Sequence, residues 1–307
     1  MPVKISRVPL IATLAAVVGA VVLLAVANPL RQPEGGGAFV EPSTTDRAAA
    51  AIADADQKPE GPAPTGTASP PPQADILPGA TRPGTLPPVL DNGPRTGNKV
   101  ALTFDADMTD AMRYQLRSGA VRSYANLKII DLLEREGVPA TFFLTGKWVE
   151  QYPDVTRRLA ANPRFELANH TYGHLAFTAD CYGLPRIERR KMTADVADTF
   201  DIVSAYGGRQ TRYFRFPGLC HDRVALAELA PLGLTVVDGD VVSGDPFATA
   251  WRPIVRAVLD KVRPGSVVVL HVTEANAPMT DEALPHILAG LAERGLEPAL
   301  LSEVLSD

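Results

Sequence analysis

Two spacings of apolar residues alternate from Lys99 to the C-terminus. Short runs that are apolar at nearly every position read as strands covered on both faces. They are "VALTFD", "ATFFLTG", "RFELANH", "RYFRFPG", "LTVVDGD", "SVVVLHV" and "EPALL". Between them apolar residues recur at helical spacing. In "NLKIIDLLEREG", Leu127, Ile130, Leu132 and Leu133 are expected on one side, and Gly137 ends the pattern. "YPDVTRRLAAN", "LPRIERRKMTADVADTFDIVSAYG", "DRVALAELAPLG", "WRPIVRAVLDKVRPG" and "TDEALPHILAGLAERG" read as further helices. Strands alternating with helices predict a parallel sheet. The pattern fits an α/β fold, an irregular (β/α) barrel of seven parallel strands, on about 210 residues that are enough for one core.

Upstream the pattern is different. Lys4 and Arg7 precede "VPLIATLAAVVGAVVLLAVANPL", an uncharged run of about 23 residues and long enough to span a bilayer core. Residues 1–30 are therefore read as a membrane anchor or signal peptide, with the positive residues kept inside. "AVA" at 25–27 resembles a cleavage site. Residues 31–97 are rich in Pro, Gly and Ala and lack apolar periodicity, so a disordered tether is expected there. The reading gives a globular part over 98–307, exported and held at the cytoplasmic membrane, or secreted if the first segment is removed. Oligomerisation leaves no sequence signal, and a monomer is expected.

Over 307 residues the net charge is −5, which offers no basic stripe for nucleic acid. The two cysteines, Cys181 and Cys220, are a disulfide candidate in an exported chain.

Polar residues collect at the C-terminal ends of the expected strands. Asp105 and Asp107 follow the first, His170 and His174 the third, and Arg215 the fourth. Asp238, Asp240 and Asp245 follow the fifth, and His271 ends the sixth. In β/α barrels that face carries the active site. Two histidines four apart and a carboxylate make a three-ligand metal site with an open position.

These residues fall in motifs. "TFDAD", "HTYGH", "RFPG", "DVVSGDP" and "VVVLH" occur in that order. In this the chain resembles the polysaccharide deacetylase family, the NodB-homology domain of carbohydrate esterase family 4. The resemblance covers about two thirds of the chain. It implies a metal-dependent N-deacetylase acting on an N-acetylated polysaccharide, with Zn2+ as first choice and Co2+ or Ni2+ as alternatives. It assigns Asp107, His170 and His174 to the metal. Asp105 becomes the base, Arg215 its partner, and His271 the acid supported by Asp245. Backbone near Gly218 would stabilise the oxyanion, and Tyr172 would meet substrate. Peptidoglycan leads as substrate because it lies nearest such a tether.

Two departures leave alternatives open. Ala106 separates aspartates that are adjacent in the family, so base and ligand are interchangeable between Asp105 and Asp107. Pro246 stands where the fourth motif has Trp, and Val242 where it has an earlier Asp, so Asp240 is second choice for supporting His271. A catalytically inactive glycan-binding protein and a small-molecule amidohydrolase are the competing functions.

Several residues carry weaker expectations. Arg113, Tyr114 or Arg117 is read as touching glycan, and His221 as a surface or substrate-facing residue. Trp148 and Trp251 are read as packing residues, with sugar stacking second. His286 is read as structural, and Asp110 as lying in the loop beyond the first strand. A Cys181–Cys220 bridge would tie the loops after the second and third motifs together.

Overall fold

The computed structural model describes residues 76–306. The expected membrane segment, 1–30, and tether residues 31–75 lie outside the described residues. Among those described, no helix is long and apolar enough to cross a membrane.

One sheet of parallel strands organises the described chain. The strands are β1 (Val89–Leu90), β2 (Lys99–Ala106), β3 (Ala140–Leu144), β4 (Phe165–Asn169), β5 (Arg209–Phe214), β6 (Thr235–Val237), β7 (Val241–Val242), β8 (Val267–His271) and β9 (Glu297–Ala299). Their order is β1-β6-β5-β4-β3-β2-β8-β7, and β9 pairs with the start of β2. The seven strands expected from the sequence are all present. The count rises to nine because β1 and β7, at two residues each, are too short to produce a periodicity.

The helices are α1 (Asp110–Arg117), α2 (Leu127–Arg135), α3 (Gly146–Gln151), α4 (Pro153–Ala161), α5 (Met192–Ser204), α6 (Arg223–Leu229), α7 (Trp251–Leu259), α8 (Thr280–Glu293) and α9 (Leu301–Ser306). In α2 the buried face is Ile129, Ile130 and Leu133, whereas Leu127 is 45% exposed. Leu127 is the first helical residue, so it sits where the helix emerges and not over the core.

Strand β2 shows how the sheet sorts its residues. Leu102, Phe104 and Ala106 join the large core cluster that also holds residues of α2 and α8. Phe104 stacks on Phe142, and Phe142 meets Phe165 edge-on. The alternate positions Ala101, Thr103 and Asp105 take the other face, as a two-residue period requires. Ala101 there shares a cluster with Phe143, Tyr213, Val237 and Leu301.

The pairing path ends at β1 and β7, so the sheet curls into an open barrel. Residues 76–97, assigned by the sequence to the tether, run across that opening. Arg212 N–H donates to Pro78, Thr81 N–H to Gly233, and β1 adds to β6. Further along, Asn92 bridges Ser266, and Arg95 pairs with Asp240 at 2.6 Å. This proline-rich strap gains order because its backbone groups find partners on both sides of the gap.

Candidate active site

The two aspartates of "TFDAD" both reach the C-terminal mouth of the barrel. The strand continues to Ala106, so residues 105 and 107 keep the same parity. Their surroundings differ. Asp105 Oδ1 is 2.7 Å from Nη1 of Arg215, which is fully buried. Arg215 is fixed by further bonds from Nη1 to Thr103 Oγ1 and from Nε to the Val237 carbonyl. Its guanidinium lies 4.0 Å from the Phe143 ring centre. Asp107 faces histidines instead. Its Oδ1 is 3.4 Å from Nε2 of both His170 and His174.

The loop after β4 that carries those histidines adopts a demanding backbone. Thr171 and His174 have φ of 71° and 54°. A left-handed conformation costs a non-glycine residue on the order of 1–3 kcal/mol, and more readily so when it is β-branched. Neighbouring groups hold it. Thr171 N–H donates to Asn169 Oδ1, whose own amide donates to Val196 in α5. Tyr172 N–H donates to Asp195 of α5. The carbonyls of Thr171 and Tyr172 accept from Gly146 and Lys147 at the start of α3. His170 Nδ1 lies 2.9 Å from the Arg215 carbonyl, so it donates there and leaves Nε2 facing Asp107.

Burial pushes the His174 pKa down to about 4, against the pull of Asp107. The ring is therefore neutral at pH 7. Burial alone would raise the Asp107 carboxyl, yet His174, His271 and His170 together hold it far below the usual range.

His271 completes the opposite wall. Its Nδ1 is 2.8 Å from Asp245 Oδ1, and its backbone N–H donates to Asp245 Oδ2. Ser243 and Thr280 hydroxyls also donate to this carboxylate. Burial works against a charged His271, but the charges of Asp245 and Asp107 outweigh it and lift the pKa to about 10. Asp240, the other candidate partner, is taken by Arg95, Ser266 and the Val267 N–H.

A cleft of about 360 Å³ opens over these groups, lined by Asp105, Asp107, His170, His174, Asp245 and His271. Gly218 and Leu219 also line it, and at Gly218 (φ 61°) an added Cβ would fall 2.7 Å from Cys181 Sγ. The Cys181–Cys220 disulfide is formed, with Cα atoms 5.9 Å apart.

The remaining candidates lie outside this group, and Trp148 and His286 take the packing roles expected of them. Tyr172 does not line the cleft; its hydroxyl bonds Glu150 and its ring receives Lys147. Its backbone is turned away by the same bonds that set the loop. Arg113 is tied to Glu150 and the Lys147 carbonyl, and neither Tyr114 nor Arg117 lines the cleft. Asp110 is the first residue of α1 and pairs with Lys147. His221 pairs with Asp238, Trp148 is fully buried, and His286 stacks on Trp251. The cleft rim includes two residues the sequence reading missed, Tyr182 and Phe247.

The donor set tests whether a metal fits. Among the described residues, Asp107, His170 and His174 are a group whose ligand atoms lie within 4.8 Å of one another. Asp107 Oδ1 is buried without a hydrogen-bond partner. One carboxylate and two imidazoles suit a divalent cation of the zinc type.

Residues 92–237 match the model of the family described as polysaccharide deacetylase. A chitooligosaccharide deacetylase of Sinorhizobium fredii is 34% identical over 179 residues, covering 55% of this chain and 80% of that one. The chain belongs to the polysaccharide deacetylase family. Its members named here are hydrolases of carbon–nitrogen bonds. A peptidoglycan-N-acetylglucosamine deacetylase of Bacillus cereus is 26% identical, covering 66% of this chain and 67% of that one. A family 4 carbohydrate esterase from Streptomyces lividans, solved in complex with acetate, matches with a TM-score of 0.52 and 25% identity. That match covers 66% of this chain and 92% of the esterase.

Proposed function

We propose that this polysaccharide deacetylase removes N-acetyl groups from an extracytoplasmic glycan, with peptidoglycan as the favoured polymer, and needs a divalent metal to do so. The observation that carries the reading is the Asp107–His170–His174 set between two fixed pairs, Asp105–Arg215 and Asp245–His271. Bound by those three residues, Zn2+ (or Co2+ or Ni2+) supplies Lewis-acid polarisation of the acetamide carbonyl and a lowered pKa for water.

The protein's own groups do the rest. Asp105 takes the proton of the attacking water, and Arg215 keeps it aimed. The Gly218 backbone offers a dipole to the developing oxyanion. His271 holds its proton at Nε2, because Asp245 occupies Nδ1, and delivers it to the leaving nitrogen. The favoured polymer rests on the expected anchor at 1–30 and on the likeness to the Bacillus cereus protein.

Acetate release from N-acetylglucosamine oligomers and from peptidoglycan tests this. Chelation is expected to abolish release and added metal to restore it. Asp105→Asn and His271→Ala are each expected to lower kcat by about 10²–10⁴. Full activity in Asp105→Asn overturns the mechanism, and glycan binding without acetate release favours an inactive binding protein.

A further inference from the structure

The catalytic residues occupy the floor of the cleft, and its rim is built from different material. Tyr182 and Phe247 are 75% and 77% exposed, yet their ring centres are 6.1 Å apart. They come from separate loops: Tyr182 follows the metal-loop histidines, and Phe247 follows Asp245 by two residues. Both line the same cleft as Asp105 and His271. Val242, 45% exposed, stands on that rim with Leu184 and Leu219. Scattered exposed apolar residues need no explanation, but two facing aromatic rings and three aliphatic side chains around one opening form a patch.

The patch is held in place. Tyr182 has φ of 52°, and it follows Cys181, whose bridge to Cys220 crosses to the loop after Arg215. A Cβ built on Gly218 would meet Cys181 Sγ at 2.7 Å and the Tyr182 ring at 2.9 Å. Glycine therefore leaves the space the tyrosine ring needs. Phe247 closes a short 3-10 turn, Asp245–Phe247, whose first residue is locked to His271. Each ring is thus fixed relative to one of the two catalytic pairs.

We propose that Tyr182 and Phe247 together form a sugar platform that selects for polymeric over monomeric substrate. The proposal rests on the glycan-deacetylase reading. The rings are too close for a pyranose to slide between them, since contact on both faces needs about 7–8 Å. The sugar lies across their outer faces. A pyranose has an apolar C–H face that suits an aromatic surface, while its hydroxyls stay in water. Because the patch is at the rim, the ring it takes is a neighbour of the one bearing the reacting acetamide. A single sugar seated on the floor does not reach it.

Steady-state kinetics of the metal-loaded protein on N-acetylglucosamine and on its pentamer tests this, with Tyr182→Ala, Phe247→Ala and Tyr182→Phe. Each alanine variant is expected to raise KM for the pentamer about tenfold with kcat within about twofold, a loss equivalent to one aromatic contact. The ratio of pentamer to monomer kcat/KM falls accordingly, and Tyr182→Phe restores it. An unchanged ratio overturns the proposal, as does an equal loss of kcat on both substrates. If the unmodified protein releases no acetate, the deacetylase reading fails, and calorimetric binding of the pentamer then decides. Binding that is lost in the alanine variants supports the platform. Equal binding by the variants, or none by the unmodified protein, overturns it.

Discussion

Asp245 accepts four hydrogen bonds and has no exposed surface. Those bonds hold the carboxylate against the His271 ring, whose pKa it raises. With the His271 pKa at about 10, the ring is an imidazolium throughout the neutral range. Its folded pKa exceeds the ordinary value of 6.5, so its contribution to stability is full below about pH 6.5 and fades as pH rises through about 10. Asp245→Asn removes the largest favourable charge. It is expected to move the alkaline limb of the pH–rate profile toward 6.5 and to lower kcat about tenfold to a hundredfold. A limb that stays in place shows that Asp107 and Asp105 alone sustain the imidazolium. Residues at this scale were legible where chemistry and strand position coincide, as for Asp105, Arg215 and His271. Tyr172 misled because it lies between two histidines in sequence while its ring packs against Lys147 and Glu150. Tyr182 and Phe247 left no signal, since their meeting depends on two loops converging.

The loop Asn169–His174 is set by elements packed around it. Its hydrogen bonds reach α3 on one side and α5 on the other. One of these anchors carries a cost. Burial raises the Asp195 pKa to about 6, only partly offset by the Tyr172 N–H and by Lys147. Between about pH 4 and 6 the folded chain retains a proton there that the unfolded chain has released. Stability therefore falls as pH rises across that window and is level above it. Asp195→Asn keeps the acceptor oxygen and removes the charge. Relative to the unmodified protein it is expected to gain stability from pH 4 to 6, by up to ~3 kcal/mol at the plateau. Urea unfolding at several pH values reads this, and a constant difference across the window counts against it. The sequence revealed β2 to β6, β8 and β9 because both faces of most of them are covered. It did not reveal α1, whose apolar residues are few, or α3, which is six residues long and begins with Gly146.

For the whole molecule, the strap across the open barrel is the feature the sequence most misplaced. Proline-rich composition argued for a tether, but composition does not register the partners that a segment finds on a sheet edge. The strap covers β6, which would otherwise present unpaired backbone. A chain beginning at residue 98 is expected to unfold at lower temperature and to associate at micromolar concentration, while one beginning at residue 76 stays monomeric. Thermal melts with light scattering check this, and identical behaviour of the two chains removes the strap's role. The disulfide acts at the cleft, joining two of its loops across 39 residues of sequence.

The central place of β2 also dictates an order of events. The strand that leads into both aspartates is flanked by β8 on one side and by β3 and β9 on the other. During synthesis β3 arrives early, but β8 and β9 follow only when the last part of the chain has been made. A nascent chain halted before Val267 already contains Asp105, Asp107, His170 and His174. It lacks the strand that seats them, so catalysis awaits the closing stretch of translation.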